Sequence, residues 1–423
     1  MDEIYASPTF MIETAESLLC RGMRDLLPDE MVRFRRIEQT FRKACQSWGY
    51  SEIRTPTLEH LYLFTSFGTL SPHLLGRVYS FLDWDGWTGE RVVLRPDATI
   101  PVARLFREQL RSSPAKLAYV TNIFRFAQGD EPREVWQCGA ELIGESWPYG
   151  DLEQIAMALH IVRSAGVTNA TISLSHSGVV RALLERAGFA SDEQAELYDR
   201  LLDGDRNVVA DVEARLPDLG PGLRLLSDVG EGGSAFLANL RSAFLPGVPE
   251  MAVPLDELDL IALTATAFGA SVTVSVTEVR DFEYYTGPVF RLVSGDATLA
   301  SGGRYDRLIT DANGGPLAAC GFALHVDALL PLVQPPADSS HGIIQVTPAD
   351  MSPKTLSTAL VVAEQLQNAG FRAALVDTEP ACRWCLTVDA RAGQPHFRFD
   401  DRERHNRVEA HSIDQVIAAM RRS

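Results

Sequence analysis

The chain has 423 residues, with 39 Lys+Arg against 56 Asp+Glu and a formal net charge of −17. Hydrophobic residues make up 46% and charged residues 22%, a globular balance that excludes wholesale disorder and leaves chain for two or three domains. Gripping a polyphosphate backbone draws most of its affinity from cations, so this acidity argues against nucleic-acid binding as the main task.

In chain order, Met1-Asp2-Glu3 opens without the basic and apolar regions of a secretory signal, and a soluble, cytoplasmic protein is expected. After a turn at Arg21-Gly-Met-Arg-Asp-Leu-Leu-Pro28, Met31, Phe34, Ile37, Phe41 and Cys45 recur at three- and four-residue steps. That spacing predicts a helix over 29–48 with one buried face, stopped by Gly49. Residues 50–55 alternate as a strand closed by Pro56. Strands over 78–82 and 91–94 form a hairpin around Asp83-Trp-Asp-Gly86. A helix over 98–109 follows, then strands over 117–126 and 135–143 on either side of a polar loop, 128–133.

A helix over 151–165 ends at Gly166, and a strand covers 171–175. Residues 178–268 read as helical with short breaks, an insertion inside a sheet-forming region. The uncharged run 260–277 is interspersed with Ser and Thr and split by Gly269, so it reads as helix, turn and strand rather than a membrane span. Strands resume over 271–276, 289–293 and 317–324, with a helix from His325. Gln334-Pro-Pro-Ala-Asp-Ser-Ser340 is a linker. Beyond it, strands over 342–346 and 372–376 and helices over 353–369 and 412–420 make a small α/β unit. The organisation expected is an α+β core over 1–333 with mostly antiparallel strands and a helical insertion, a linker over 334–340, and a C-terminal domain over 341–423. The six cysteines are too sparse for a disulfide framework, and Cys382-Arg-Trp-Cys385 lacks a second ligand pair at metal spacing; packing is its expected role.

Five stretches carry chemistry-bearing residues. Arg95-Pro-Asp-Ala-Thr99 ends a strand and opens a helix; Asp97 and Thr99 can cap that helix or accept from an ammonium group. Ile123-Phe-Arg-Phe126 sends Arg125 to the face opposite the phenylalanines, where it either meets solvent or lies across a pocket floor. Trp136-Gln-Cys-Gly-Ala-Glu141 puts Gln137, Gly139 and Glu141 on one strand face, either solvated or approached closely by a ligand. Glu278-Val-Arg-Asp-Phe-Glu-Tyr-Tyr-Thr-Gly287 gathers charges and paired tyrosines before a glycine. Ala300-Ser-Gly-Gly-Arg-Tyr-Asp306 brings Arg304 out of an expected Gly-Gly turn.

With Arg21-Gly-Met-Arg-Asp25 and Pro56, the order of these stretches resembles the class II aminoacyl-tRNA synthetase core, in its histidyl-tRNA synthetase branch, over residues 18–333. The helix, strand and Pro56 resemble motif 1; Phe124-Arg125 through Glu141 resembles motif 2; Val279-Arg280 through Tyr285 and Gly302-Gly303-Arg304-Tyr305-Asp306 resemble the histidine-specific signatures. The C-terminal part is similar to an anticodon-binding domain only in its α/β pattern. The resemblance implies a pocket for free histidine. Asp97 and Thr99 match positions holding the α-amino group, and Gln137 matches a contact to the amino acid. Glu141 and Tyr285 match partners of the imidazole nitrogens, Tyr284 and Tyr305 match pocket walls, and Arg280 matches an arginine near the carboxylate. Arg125 belongs to the same set, as the motif 2 arginine.

Two positions depart from the synthetases. The glutamate that helps place ATP is replaced by Ala127, and the arginine that clamps its phosphates at the end of motif 3 is replaced by Ala328. Cationic groups set against the triphosphate are each worth powers of ten in adenylate formation, so the lost arginine weighs most. A kept amino-acid pocket with a broken nucleotide grip resembles the synthetase-like regulatory subunits of ATP phosphoribosyltransferase. That resemblance implies a non-catalytic subunit with no cofactor and no metal, needed with a short-form catalytic subunit for the first step of histidine biosynthesis. Histidine is then the feedback effector, and a homodimer within a hetero-oligomer is expected, without nucleic acid or membrane. The alternatives are a working histidyl-tRNA synthetase and a synthetase-like ligase for a non-tRNA acceptor.

Overall fold

A computed structural model describes the chain apart from residues 1–17, 67–75, 85–88, 128–130, 191–192, 195, 198–199, 201–204, 206, 224–230, 276–284, 311–313, 336–342, 376–382, 391–393 and 423. The fold is α+β. Two compact units divide it, Met1–Gln334 and Pro335–Ser423. In the first unit the strands are β1 Ser51–Glu52, β2 Leu58–His60, β3 Ser80–Trp84, β4 Gly89–Leu94, β5 Ala115–Phe124 and β6 Glu134–Ile143, then β7 Thr171–His176, β8 Glu231–Gly232, β9 Ser271–Ser275, β10 Pro288–Ser294, β11 Ala297–Arg304 and β12 Ala319–His325. Nine of them make one sheet in the order β1-β5-β6-β12-β11-β10-β7-β9-β8, and β2-β4-β3 make a second. The large sheet is antiparallel through its centre, while β1 pairs with β5 and β7 with β9 in parallel.

The first unit's helices are α1 Pro28–Ser47, α2 Leu61–Ser66, α3 Thr99–Leu105, α4 Tyr149–Ser164, α5 Ser177–Arg186, α6 Asn207–Arg215, α7 Ser234–Phe244, α8 Ala252–Ala267 and α9 Val326–Leu329. Helix α1 buries Phe34, Ile37, Phe41, Ala44 and Cys45, the stripe its spacing dictates. With α4 it covers one face of the sheet, where Cys138, Ala140, Phe322, Leu324, Ala300 and Leu292 fill the core. The opposite face carries the site beside a second apolar cluster, in which Leu117, Tyr119, Ile123 and Ile143 pack with Val93, Ile100, Val102 and Phe106. Helices α5 to α8 occupy the insertion, interrupted by the two-residue β8.

Several expectations need correction. The strand over 50–55 shrinks to Ser51–Glu52, because Arg95 intercepts the carbonyls of Thr55 and Pro56 (both 2.9 Å). The helix over 98–109 stops at Leu105 and continues as a wider turn, Phe106–Leu110. Gly302-Gly303 is no turn: both glycines lie inside β11, paired across to Phe322 and Gly321. Arg125 lies beyond the end of β5 at Phe124.

In the second unit, β13 Ile344–Pro348, β14 Ala373–Leu375, β15 Trp384–Asp389, β16 His396–Asp401 and β17 Asn406–Ala410 make a sheet in the order β14-β13-β15-β16-β17. Helices α10 Pro353–Asn368 and α11 Ile413–Arg422 pack on it over Trp384, Leu386, Phe397 and Phe399. Cys382 lies outside the described residues, and Cys385 sits on β15 with Sγ 4.0 Å from Gln345 Oε1. Among the described residues, no helix is long and apolar enough to cross a membrane and no cluster of His, Cys, Asp or Glu could hold a metal ion.

One buried ion pair ties α4 to the sheet. Arg304, at the end of β11, donates from Nε to both oxygens of Asp151 (3.1 Å each) and from Nη2 to Oδ2; both residues are at most 5% exposed. Burial alone would lower the guanidinium pKa, but the bond to Asp151 outweighs it and the pKa is raised. Arg304 Nη1 also donates to Asp306 Oδ1 at 3.0 Å, so Asp151→Ala leaves the guanidinium one partly exposed carboxylate and is expected to cost up to about 3–5 kcal/mol in chemical denaturation. Asp151→Leu combined with Arg304→Met should recover most of that loss, since neither charge then remains unpaired.

Candidate functional site

Strand pairing assembles the site. Glu141 on β6 lies opposite Gly321 on β12, which lies opposite Gly303 on β11. Tyr119 on β5 lies opposite Gly139, and Gly139 shares a face with Glu141 because alternate strand residues point the same way. The three glycines are empty for a reason: a Cβ on Gly139 would collide with the Tyr119 ring, on Gly321 with the Glu141 carboxyl, and on Gly303 with the Tyr285 ring. Each glycine therefore gives its place to a neighbour's side chain.

Glu141 is 1% exposed and its carboxyl gathers three hydroxyls. Thr99 at the start of α3 donates to Oε1 at 2.8 Å, Tyr119 donates to Oε1 at 3.0 Å, and Tyr305, just past β11, donates to Oε2. Among the described residues no basic side chain bonds to this carboxyl. Burial pushes its pKa up to about 8; the hydroxyls oppose that rise and the nearby Asp97 carboxylate adds to it. The Tyr119 phenol is likewise raised well above its usual value, by burial first and then by Glu141. Asp97 caps α3, accepting from Ile100 N at 2.9 Å. The result is a buried acid beside a carboxylate, an arrangement that favours a ligand bringing positive charge or ring N–H donors.

Of the residues singled out from sequence, Thr99, Glu141 and Tyr305 meet directly, and Asp97 acts electrostatically on the same carboxyl. Tyr285 packs where Gly303 leaves room, and its carbonyl accepts from Arg181 Nη2 at 3.3 Å. Gln137 lies on the Glu141 face, two positions beyond Gly139, opposite His325. Arg125 does not reach Glu141; its Nε donates to Pro96 O at 2.9 Å. Arg280 and Tyr284 lie outside the described residues.

Two participants escaped the sequence reading. Tyr119 is invisible until the β5–β6 register is known, although its pairing with a glycine is the signal that finds it. His325 lies beside Gln137, with Nδ1 3.2 Å from Thr298 O and Nε2 3.1 Å from Ser301 Oγ. A carbonyl only accepts, so Nδ1 carries the proton and Ser301 donates to Nε2. Burial, with the charge of Arg125, lowers this pKa and keeps the ring neutral.

The departures from the synthetase motifs sit in a different setting. The Ala127 carbonyl accepts from Arg133 Nε at 3.1 Å. Ala328 packs from α9 against the core, and its neighbour Asp327 holds Arg24 Nη2 at 2.8 Å while accepting from Trp136 N at 3.0 Å. Arg24 also donates to Glu30 Oε1 at 2.8 Å, so its charge serves two internal carboxylates.

Comparisons with known proteins agree on this architecture. A family model described as histidyl-tRNA synthetase matches residues 22–329. The chain is 40% identical over 378 residues to an ATP phosphoribosyltransferase regulatory subunit from Dehalococcoides mccartyi, covering 88% of this chain and 91% of that protein. It is 33% identical over 363 residues to a histidine–tRNA ligase from Methanosarcina acetivorans, covering 82% of each. Among solved structures, an ATP phosphoribosyltransferase regulatory subunit/histidyl-tRNA synthetase from Bacillus halodurans superposes with TM-score 0.71 at 28% identity, over 88% of this chain and 94% of that one. Histidyl-tRNA synthetase from Nostoc superposes with TM-score 0.70 over all of both chains at 19% identity, a likeness of fold alone.

Two outcomes follow from the buried acid and its glycine row. Because the folded state holds the Glu141 proton more tightly than the unfolded value of 4.5, this group's contribution favours the fold at low pH and is lost as pH rises toward about 8. Denaturant melts should therefore show Glu141→Gln gaining stability relative to the parent between those limits; a pH-independent difference would refute the assignment. Gly321→Ala forces its methyl into Glu141 and should cost about 1–3 kcal/mol in the same melts.

Proposed function

We propose, for a chain that belongs to the family of ATP phosphoribosyltransferase regulatory subunits within the histidyl-tRNA synthetase family, that the Glu141 pocket binds free histidine as a regulatory effector. The protein then acts without chemistry of its own, assembled with a short-form catalytic subunit at the first committed step of histidine biosynthesis. The observation carrying this reading is the contrast between the two halves of the cleft. The amino-acid half keeps a buried carboxyl served by Thr99, Tyr119 and Tyr305. The nucleotide half has alanine at 127 and 328, and Arg24 beside it is committed to Asp327 and Glu30. A triphosphate brings several negative charges to a chain already at −17, and the arginine missing at 328 removes a charge-assisted contact that would hold it.

The pocket suits histidine on chemical grounds. The ligand's α-ammonium can meet Asp97 and Thr99, with Gln137 beside it, and an imidazole N–H can donate to Glu141. Arg280, Tyr284, Tyr285 and Tyr305 complete the proposed set, with Arg125 shaping the floor through its bond to Pro96. An imidazolium would also ionise Glu141, so uptake of the charged ligand releases a proton. Feedback requires that histidine bind one assembled state better than another, and by reciprocity histidine then stabilises that state by the same factor. We place this pocket in each copy of a homodimer within a hetero-oligomer, in the cytoplasm.

The alternative is a working synthetase, favoured by the 33% identity to the Methanosarcina histidine–tRNA ligase. Isothermal titration with histidine should give 1:1 binding that Glu141→Gln weakens by about 10- to 100-fold, the worth of a hydrogen bond to a charged group. Histidine-dependent ATP–pyrophosphate exchange should be absent. Robust exchange would turn the assignment over to the synthetase.

A further inference from the structure

Helix α8 is apolar on two sides. Pro254, Leu255, Leu258, Ile261 and Ala265 are buried in the core. Val253, Leu260 and Leu263 are instead 64%, 43% and 60% exposed. Steps of seven and three residues bring these three onto a single stripe of the helix. A cluster of large apolar side chains exposed on one helix and interspersed with charge marks a contact surface.

The charges around the stripe select its occupant. Asp256 falls within it and Asp259 beside it, with side chains 67% and 38% exposed. The helix has no basic residue of its own. Arg241 on α7 reaches both carboxylates, at 2.5 and 3.7 Å, but is itself only 27% exposed, so what faces outward is acidic. At the far end of the helix Arg163 Nη2 is engaged by Gly269 O at 2.6 Å. A second copy of this chain meeting at this surface would set the same two carboxylates against their equals. A different protein with an apolar surface and a basic rim meets no such penalty, and opposite charge would speed its approach.

We propose that the Val253–Leu260–Leu263 stripe of α8 docks the catalytic partner, through an apolar patch on that subunit rimmed by Lys or Arg. The proposal rests on the regulatory-subunit reading above and adds the surface that makes the complex. Its anchors are the two leucines, and the two aspartates set orientation and rate of encounter.

The test mixes the full chain with the short-form catalytic subunit from the same source and follows complex mass by light scattering and affinity by titration. Leu260→Glu with Leu263→Glu should weaken assembly by about thirtyfold or more, as loss of a central anchor does, with histidine affinity and melting temperature unchanged. Serine at both positions, which adds no charge, should weaken it by about tenfold, and Leu360→Glu on the exposed side of α10 should leave it intact. Parent and α8 variants assembling equally well would overturn the docking surface while leaving the regulatory reading in place. A parent chain that never assembles with the catalytic subunit would overturn that reading and this proposal together. If the α8 variants change the mass of the chain alone, with no partner added, the stripe belongs to a second copy and the proposal falls.

Discussion

The site depends on one buried carboxyl. Glu141 is expensive to place in a nearly dry interior, and its cost is contained in two ways. Burial raises its pKa to about 8, which favours the neutral acid, and three hydroxyls occupy its oxygens. Those hydroxyls come from α3, β5 and the end of β11, so this one carboxyl fastens three elements to β6. The glycines at 139, 303 and 321 make this possible, since the side chains that converge here need the volume a Cβ would take. Local strand weakening by glycine is the cost of bringing a tyrosine and a carboxyl so close to the sheet.

Cations tell the complementary story. An arginine is useful to an anionic ligand only while its donors are unspent. Arg304, which sequence places in a histidine signature, is turned to the helix-covered face and locked to Asp151. Arg95 gives its donors to Thr55, Pro56 and Asn122. Arg24 bridges Glu30 and Asp327. These guanidiniums hold strand ends and helices in register, which is a structural use of the same fork geometry that elsewhere grips phosphate.

Much of this was legible beforehand, where a single element carried its own pattern. The 3- and 4-residue steps of Phe34, Ile37 and Phe41 define α1, and alternation in β6 puts Gln137, Gly139 and Glu141 on one face. What failed needed a second strand. Gly302-Gly303 has turn chemistry locally, yet the β12 register draws both into β11, where the lack of side chains serves Tyr285 and the sheet rather than a bend. Tyr119 and His325 look like ordinary core residues until their cross-strand neighbours are known. The short β1 reflects competition, because Arg95 takes carbonyls that a longer strand would have offered its neighbour. In the C-terminal unit, β16 and β17 carry Arg398, Asp400, Arg407 and Glu409 on their open face, and those charges masked the strand pattern.

The positions proposed for the amino acid and those matching the nucleotide contacts also differ in what it costs the fold to change them. Replacing Glu141 by an apolar residue would leave three buried hydroxyls competing for partners, and filling any of the three glycines would drive a side chain into its neighbour. Either change damages the sheet itself, so the amino-acid half is held by folding as firmly as by function. The nucleotide half is different. Ala328 packs well against the core from a short helix, and alanine is the residue a helix interior tolerates best. Ala127 needs only its carbonyl, which Arg133 uses. Alanine is therefore accommodated at both positions at little cost to stability, while Glu141 and the three glycines stay bound into the sheet.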